Sequence, residues 1–332
     1  MTTTTKTLRA RVAAGLVGAL ALTGATIVAS PQSGLTNSAS AAAAACSTDQ
    51  SSSEFGGAKV SAAYGAYFNK GTYAPHFLAD YVPQGLGAWP NWNGGTEDLL
   101  LVGMHHENEN ANRSLIYGVT PGGTYRGAAY LPTGGHVGGV KVYKGWLYVQ
   151  QNDSTIRRYS LASVKASLKS AGTQYLGAGT SLGVTAVSSF DIDGGYLYGA
   201  KFNDKNRDLM RRYKISSTGG LTLDKAWGPL QVPLKTQGIL VLSNTYIFST
   251  SWTRQARGNI YVVRRGYTKG KEFTSVKYRC FQSVSMTQEL TSMNGVTYLA
   301  NESGASYFAN GRIHNIRNLH TANTETLRSL VW

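Results

Sequence analysis

The residues able to do chemistry in this chain collect in a few polar stretches. Gly103-Met104-His105-His106-Glu107-Asn108-Glu109 gathers two imidazoles and two carboxylates, ordinary ligands of a divalent cation. The spacing matches no closed structural metal site. Adjacent residues on a strand point to opposite faces, so His105 and His106 share an ion only if the segment leaves the strand, and a solvated loop is the simpler reading. His136 precedes Val137-Gly138-Gly139, where absent side chains allow close backbone approach. It could serve as a general base or ligand contact, against a structural role bonding a neighbouring backbone. Gln237-Gly238 and Gln288-Glu289 bring amides and a carboxylate to matching places, and Asn301-Glu302-Ser303-Gly304 sets a carboxylate beside a hydroxyl. A serine without a positioned base is a weak nucleophile, so Ser303 reads as a loop residue. Trp252 and Arg254 put an aromatic and a cation into one loop. Gly179-Thr180-Ser181-Leu182-Gly183 spells a nucleophile elbow, but that motif needs a strand before it and a helix after it, and here a strand follows. No catalytic residues are assigned.

These stretches are positioned by a repeat. Gly145-Trp146-Leu147-Tyr148, Gly195-Tyr196-Leu197-Tyr198, Thr245-Tyr246-Ile247-Phe248 and Gly295-Val296-Thr297-Tyr298 recur at intervals of 50 residues. Five residues before each lies an apolar position, Val140, Phe190, Leu240 or Leu290, marking a second strand joined by a tight turn. Third strands are expected at 156–160, 209–214, 259–264 and 312–316, and weaker fourth strands at 173–177, 222–230 and 275–281. An earlier copy covers 98–104, 114–119 and 125–131. Four antiparallel strands per repeat make a β-propeller blade. Five units are visible, and residues 46–83, with a strand at 59–64, supply either a sixth blade or the strand that closes the ring. The expectation is an all-β propeller of six four-stranded blades, with five or seven as alternatives, and with 161–170 a decorative helix. In such a ring the loops between second and third strands share one face with the entries to the innermost strands. His136, Gln237, Gln288, Glu289 and Glu302 then ring the channel mouth, and His105, His106, Glu107, Glu109, Trp252 and Arg254 lie on the loop face.

Composition agrees with this architecture. Charged residues make up 15% of the 332 and hydrophobic residues 42%, enough apolar material for a sizeable core and too little charge for a disordered chain. Lys6, Arg9 and Arg11 precede an apolar run over 12–29 and a Ser/Ala tract ending at Ala45, which reads as a secretory signal with its cleavage region over 1–45 and one propeller domain over 46–332. No second membrane-length apolar run follows, so no membrane association is expected after signal removal. Losing the signal takes three cations and no acid, lowering the net charge from +15 to +12. Cys46 and Cys280 are the only two cysteines, and an even count in an exported chain points to one disulfide between them.

Gly135-His136-Val137-Gly138-Gly139, Gln237-Gly238-Ile239 and Leu299-Ala300-Asn301-Glu302-Ser303-Gly304 resemble a family of secreted bacterial β-propellers, the dispase autolysis-inducing proteins. The resemblance implies an exported, non-enzymatic propeller that induces autolysis of a neutral metalloprotease and serves as a transglutaminase substrate. It supplies no catalytic residues, and that family's seven blades exceed the repeats visible here. Under it, Gln50, Gln151, Gln255 and Gln288 are the glutamines for cross-linking, since flexible or loop-borne side chains can enter another enzyme's cleft. Three readings compete. One is an extracellular interaction module whose partner is a protease or a transglutaminase. The second is a metal-dependent propeller hydrolase or lactonase at the channel mouth. The third is a basic binder of anionic wall polymers, with affinity falling steeply in salt. No cofactor is expected, with Ca²⁺ as the one alternative. Nucleic acid is disfavoured because the chain reads as exported and carries no nucleic-acid-reading motif.

Overall fold

The computed structural model describes residues 46–52, 55–73, 77–108 and 113–332. The leader region and Glu109 lie outside them, as do the side chain and exposure of Gln50. Strands at the repeat spacing form because tight turns recur there. Tyr143 pairs with Trp146, Asp193 with Tyr196 and Met293 with Val296, leaving two-residue loops. Both loop residues take positive φ in each case, at Lys144-Gly145, Gly194-Gly195 and Asn294-Gly295. That conformation matches the twist of the paired strands and explains the glycine that precedes the repeated aromatic motif.

Five blade sheets result among the described residues, each with an antiparallel core. Blade 1 contains Tyr81–Trp89, Leu99–His106, Leu115–Val119 and Tyr125–Tyr130. Blade 2 contains Val140–Tyr143, Trp146–Asn152, Thr155–Ser160 and Thr180–Gly183. Blade 3 contains Ser189–Asp193, Tyr196–Ala200, Leu209–Ile215 and Leu221–Leu223. Blade 4 contains Thr236–Val241, Thr245–Thr250, Asn259–Arg264 and Tyr278–Gln282. Blade 5 contains Thr287–Met293, Val296–Asn301 and Asn318–Asn323, and its outermost strand is Phe68–Tyr73 from the other end of the chain. Each innermost strand contacts the next, and that of blade 5 returns to that of blade 1, so the ring is closed. The blade count is therefore five, not six. Residues 81–89 are consumed as the innermost strand of blade 1 and 68–73 complete blade 5, so the arm before them forms only a two-stranded sheet, Gln50–Ser52 with Val60–Ser61, and not a sixth blade.

The core is divided among the blade interfaces. Leu99, Leu101 and Ile116 of blade 1 pack with Val140, Leu147 and Val149 of blade 2. The alternate residues Leu100, Val102, Leu115 and Tyr117 pack with Tyr298 and Ala300 of blade 5. Similar clusters join blades 2 and 3, 3 and 4, and 4 and 5. Both faces of each sheet are thus buried, which is why its strands read as apolar runs. Neighbouring innermost strands approach closely enough that a Cβ on Gly138 would stand 2.1 Å from the Ser188 carbonyl oxygen. This close approach accounts for the glycines after His136 and Gln237.

Four sequence expectations change. The strand expected at 59–64 is confined to Val60–Ser61, and Ala62–Tyr67 is a helix capped by the Ser61 side chain. Residues 312–316 are not a strand. His314 is buried there, its Nδ1 accepting from the Ser285 N–H and its Nε2 meeting the Ala58 carbonyl, which ties this segment to the N-terminal arm. The helix Leu161–Lys169 is structural, because Val164 and Leu168 enter the interface of blades 1 and 2. It diverts the chain so that Gln174–Tyr175 adds in parallel to blade 1, and the fourth strand of blade 2 is Thr180–Gly183 rather than 173–177.

Cys46 and Cys280 form the disulfide. It fastens the N-terminal arm along the outer edge of blade 4, where the Ser47 N–H donates to the Cys280 carbonyl and the Gln282 N–H to the Ser47 carbonyl. Replacing both cysteines with serine is expected to lower stability by about 2–4 kcal/mol. Urea unfolding reads this, and an unchanged midpoint would contradict a clasp role.

Candidate functional site

At one mouth of the channel lies an open funnel of about 1190 Å³. Its floor is set by β-bulges. The pairing of innermost and second strands slips between Pro83 and Gly85, between Thr236 and Gly238, and between Thr287 and Leu290. A bulge re-aims the side chains at the slip, and here Gln84, Gln237 and Gln288 reach the funnel.

Gln84 is the hub. Its Oε1 accepts from the Val137 N–H at 3.0 Å, while its Nε2 donates to Glu302 Oε1 at 2.8 Å and lies 2.6 Å from His136 Nδ1. His136 and Glu302, far apart in sequence, are thereby held side by side. His105 lies against His136, ring centroids 4.6 Å apart. Burial first, then the neighbouring His136 and His106, drive the His105 pKa down to about 3, so it stays neutral. Gln150 Oε1 accepts from the Gly138 N–H at 2.9 Å. Gln288 is 2% exposed and lines the funnel, and among the described residues its Nε2 has no hydrogen-bond partner.

The rim on the side of blades 3 to 5 is aromatic and cationic. Trp252 stacks with Phe202 at 6.3 Å, and Lys235 Nζ lies 4.2 Å over its ring. Arg254 lies 5.1 Å over Phe308, which packs edge-on with Tyr307. Trp252 is 45% and Tyr307 51% exposed. Lys201 pairs with Asp153 at 2.6 Å.

Beneath the funnel the channel is stoppered by charge. Lys141 Nζ lies 3.5 Å from Asp191 Oδ1 and 3.7 Å from Glu289 Oε1. It also donates to the Leu86 carbonyl at 3.0 Å and to the Leu290 carbonyl. Asp191 accepts from the Val241 N–H at 2.7 Å, and Glu289 from Ile239 and Leu290 at 3.0 Å each. Three side chains thus tie all five blades together. Burial pushes the Glu289 pKa up to about 8, against the pull of Lys141 and the N–H donors, and raises Asp191 as well.

Of the channel-mouth candidates, His136, Gln237, Gln288 and Glu302 reach the funnel. Glu289 does not; it sits fully buried in the channel below. His105 lines the funnel, whereas His106 packs edge-on against Tyr81 and its Nδ1 accepts from the Asn108 N–H, so the two imidazoles do not converge. Glu107 is exposed. Among the described residues no three His, Cys, Asp or Glu side chains gather as a metal-holding group. Trp252 and Arg254 belong to the rim. Of the cross-linking glutamines, Gln255 is exposed, Gln151 is half-buried with its amide bonded to Thr133 and Arg157, and Gln288 is buried at the funnel floor, where a macromolecular active site does not reach it. Tyr307, Phe308 and Gln150 were not singled out from the sequence. Gln150 had a signal, since its repeat equivalents are Ala200, Thr250 and Ala300.

A closed five-bladed β-propeller with a polar and aromatic funnel at one mouth is the class that fold and site define. No described helix is long and apolar enough to cross a membrane. No protein-family model and no curated protein matches the chain. Solved structures similar to it include the RS223 β-xylosidase, at 12% identity, TM-score 0.43, over 76% of this chain and 94% of that one. Another is CoXyl43, a GH43 β-xylosidase/α-arabinofuranosidase from a compost microbial metagenome, at 11% identity, TM-score 0.41, over 74% and 92%. A GH43_1 enzyme from Xanthomonas citri gives 11% identity and TM-score 0.41 over 76% and 90%. Similarity at this level says nothing about activity, and the propeller assignment rests on the sheets, their closure and their interfaces.

Proposed function

We propose that the chain is a secreted, non-enzymatic β-propeller that recognises an extracellular protein through its funnel face, modulating a neutral metalloprotease as the resemblance to the dispase autolysis-inducing family implies. The observation that carries the reading is the rim, where Trp252, Tyr307 and Arg254 stand together at the edge of a large opening. Trp, Tyr and Arg are the side chains that dominate protein-binding energetics, because they offer large rigid area with a polar tip. Glu302 is bonded by Gln84 and Asp153 is paired with Lys201, which supports positioning roles for these carboxylates. A transglutaminase would act on Gln255, which stands exposed on the same face.

Incubating the purified protein with a neutral metalloprotease is expected to cause loss of protease activity together with self-cleavage fragments. The Trp252→Ala/Tyr307→Ala variant is expected to slow that loss at least about tenfold, the scale of one or two interface hot spots. A protease whose activity is unchanged by the wild-type protein would overturn the reading.

A further inference from the structure

We propose that the throat of the funnel is a binding site for a sugar ring of a neutral glycan, seated within a ring of neutral hydrogen-bonding side chains to which every blade contributes. The inference rests on the funnel face being the recognition surface and specifies what enters below its rim. The contributing residues are Gln84, Gln150, Ser188, Gln237 and Gln288, in blade order. None is charged, and four are carboxamides; Gln84 is already bonded to Val137 and Glu302 and Gln150 Oε1 to Gly138, so Gln237, Gln288 and the Gln150 amide nitrogen carry the recognition.

Gln288 is the observation that demands a ligand. Its side chain is almost fully buried and lines the funnel, yet among the described residues Nε2 has no acceptor. A buried donor left without a partner is destabilising, and a hydroxyl oxygen arriving from the funnel would satisfy it.

Shape and charge select the class of ligand. An extended peptide presents its hydrogen-bonding groups along two opposite edges with a period of two. A pyranose presents hydroxyls around its whole periphery, each a donor and an acceptor, and matches groups converging from five directions. Its apolar face suits the aromatic wall that carries Trp252 and Tyr307. A polyanion drawn by the net charge of the exported chain, +12 once the three leader cations are lost, would meet the carboxylate of Glu302 at the throat. The opening of about 1190 Å³ exceeds the roughly 300–1,000 Å³ of ordinary small-molecule sites, leaving room for several rings. The buried charges of the channel close the floor, so the site admits a chain end or a bend rather than a threaded polymer.

The test is calorimetric titration of the purified chain with cellohexaose, xylohexaose, maltohexaose and chitohexaose, beside polygalacturonate and an unstructured Gly/Ser peptide. At least one neutral oligosaccharide is expected to bind, and Gln288→Leu to weaken it at least about tenfold, the effect of one lost buried hydrogen bond. Trp252→Ala, on the wall and outside the core, is expected to weaken it too, and decides the matter if Gln288→Leu fails to fold. Binding of none of the four sugars overturns the proposal, as does binding that the folded variants leave unchanged, or binding of polygalacturonate or peptide alone. Protease inactivation without sugar binding would remove this inference and leave the recognition reading standing. Sugar binding with an unaffected protease would do the reverse.

Discussion

Replacing Lys141 with methionine is expected to lower folding stability by about 3–5 kcal/mol, the range for removing one partner of a buried ion pair. Methionine fills a similar volume, so the effect is electrostatic. The ammonium faces Asp191 and Glu289 and donates to the carbonyls of Leu86 and Leu290. Without it, Asp191 and Glu289 lose the cation that faces them both and two buried carbonyls lose a donor. The loss is expected to shrink in acid, where the carboxyls take up protons. Combining Lys141→Met with Asp191→Asn and Glu289→Gln is expected to restore much of the stability, since neutral replacements of a buried cluster remove the desolvated charge together with its partner. Urea unfolding of the three proteins measures this. A single variant within about 1 kcal/mol of wild type would show that the cluster does not hold the channel.

The second large effect is a dependence on pH centred on Glu289. Its folded pKa of about 8 stands above the ordinary 4.5, with burial as the main cause. The folded state therefore keeps a proton that the unfolded chain releases. The associated stability is complete below about 4.5 and is lost as pH rises through about 8. Asp191, also raised by burial, adds a change of the same sign that starts lower. The groups facing Glu289 are Lys141 from blade 2, Asp191 from blade 3, and the N–H donors of Phe190, Ile239 and its own neighbour Leu290. Glu289→Gln cannot titrate and keeps an acceptor for those donors. It is expected to match wild type near pH 5 and to exceed it near pH 9. Comparing the two melting curves at each pH cancels the background from the other titrating groups. A difference that does not change with pH would refute the assignment.

Much of the ring was legible in the sequence because the aromatic strand motif repeats every 50 residues in four blades, three of them behind a two-residue turn at 144–145, 194–195 or 294–295. The blade count was not, because Phe68–Tyr73 has a polar centre, Asn69-Lys70-Gly71, and its partner strand lies near the opposite end of the chain. The funnel was half legible. His136, Gln237 and Glu302 sit where strand entries and loops must face one mouth. Gln288 and Glu289 were indistinguishable by sequence, yet the bulge at this entry sends one to the funnel and leaves the other in the channel. Lys141 and Asp191 escaped notice because a charged residue on a strand ordinarily reads as solvated; only the closed ring makes their positions interior.

On the proposed reading, one face of this ring recognises the partner. Hydrogen exchange of the protein with and without an inactivated neutral metalloprotease tests it directly. The account predicts protection at 135–138, 201–203, 252–255 and 302–308, with the opposite turns at 144–145, 194–195 and 294–295 exchanging as before. Protection at those opposite turns, or at neither face, would contradict it.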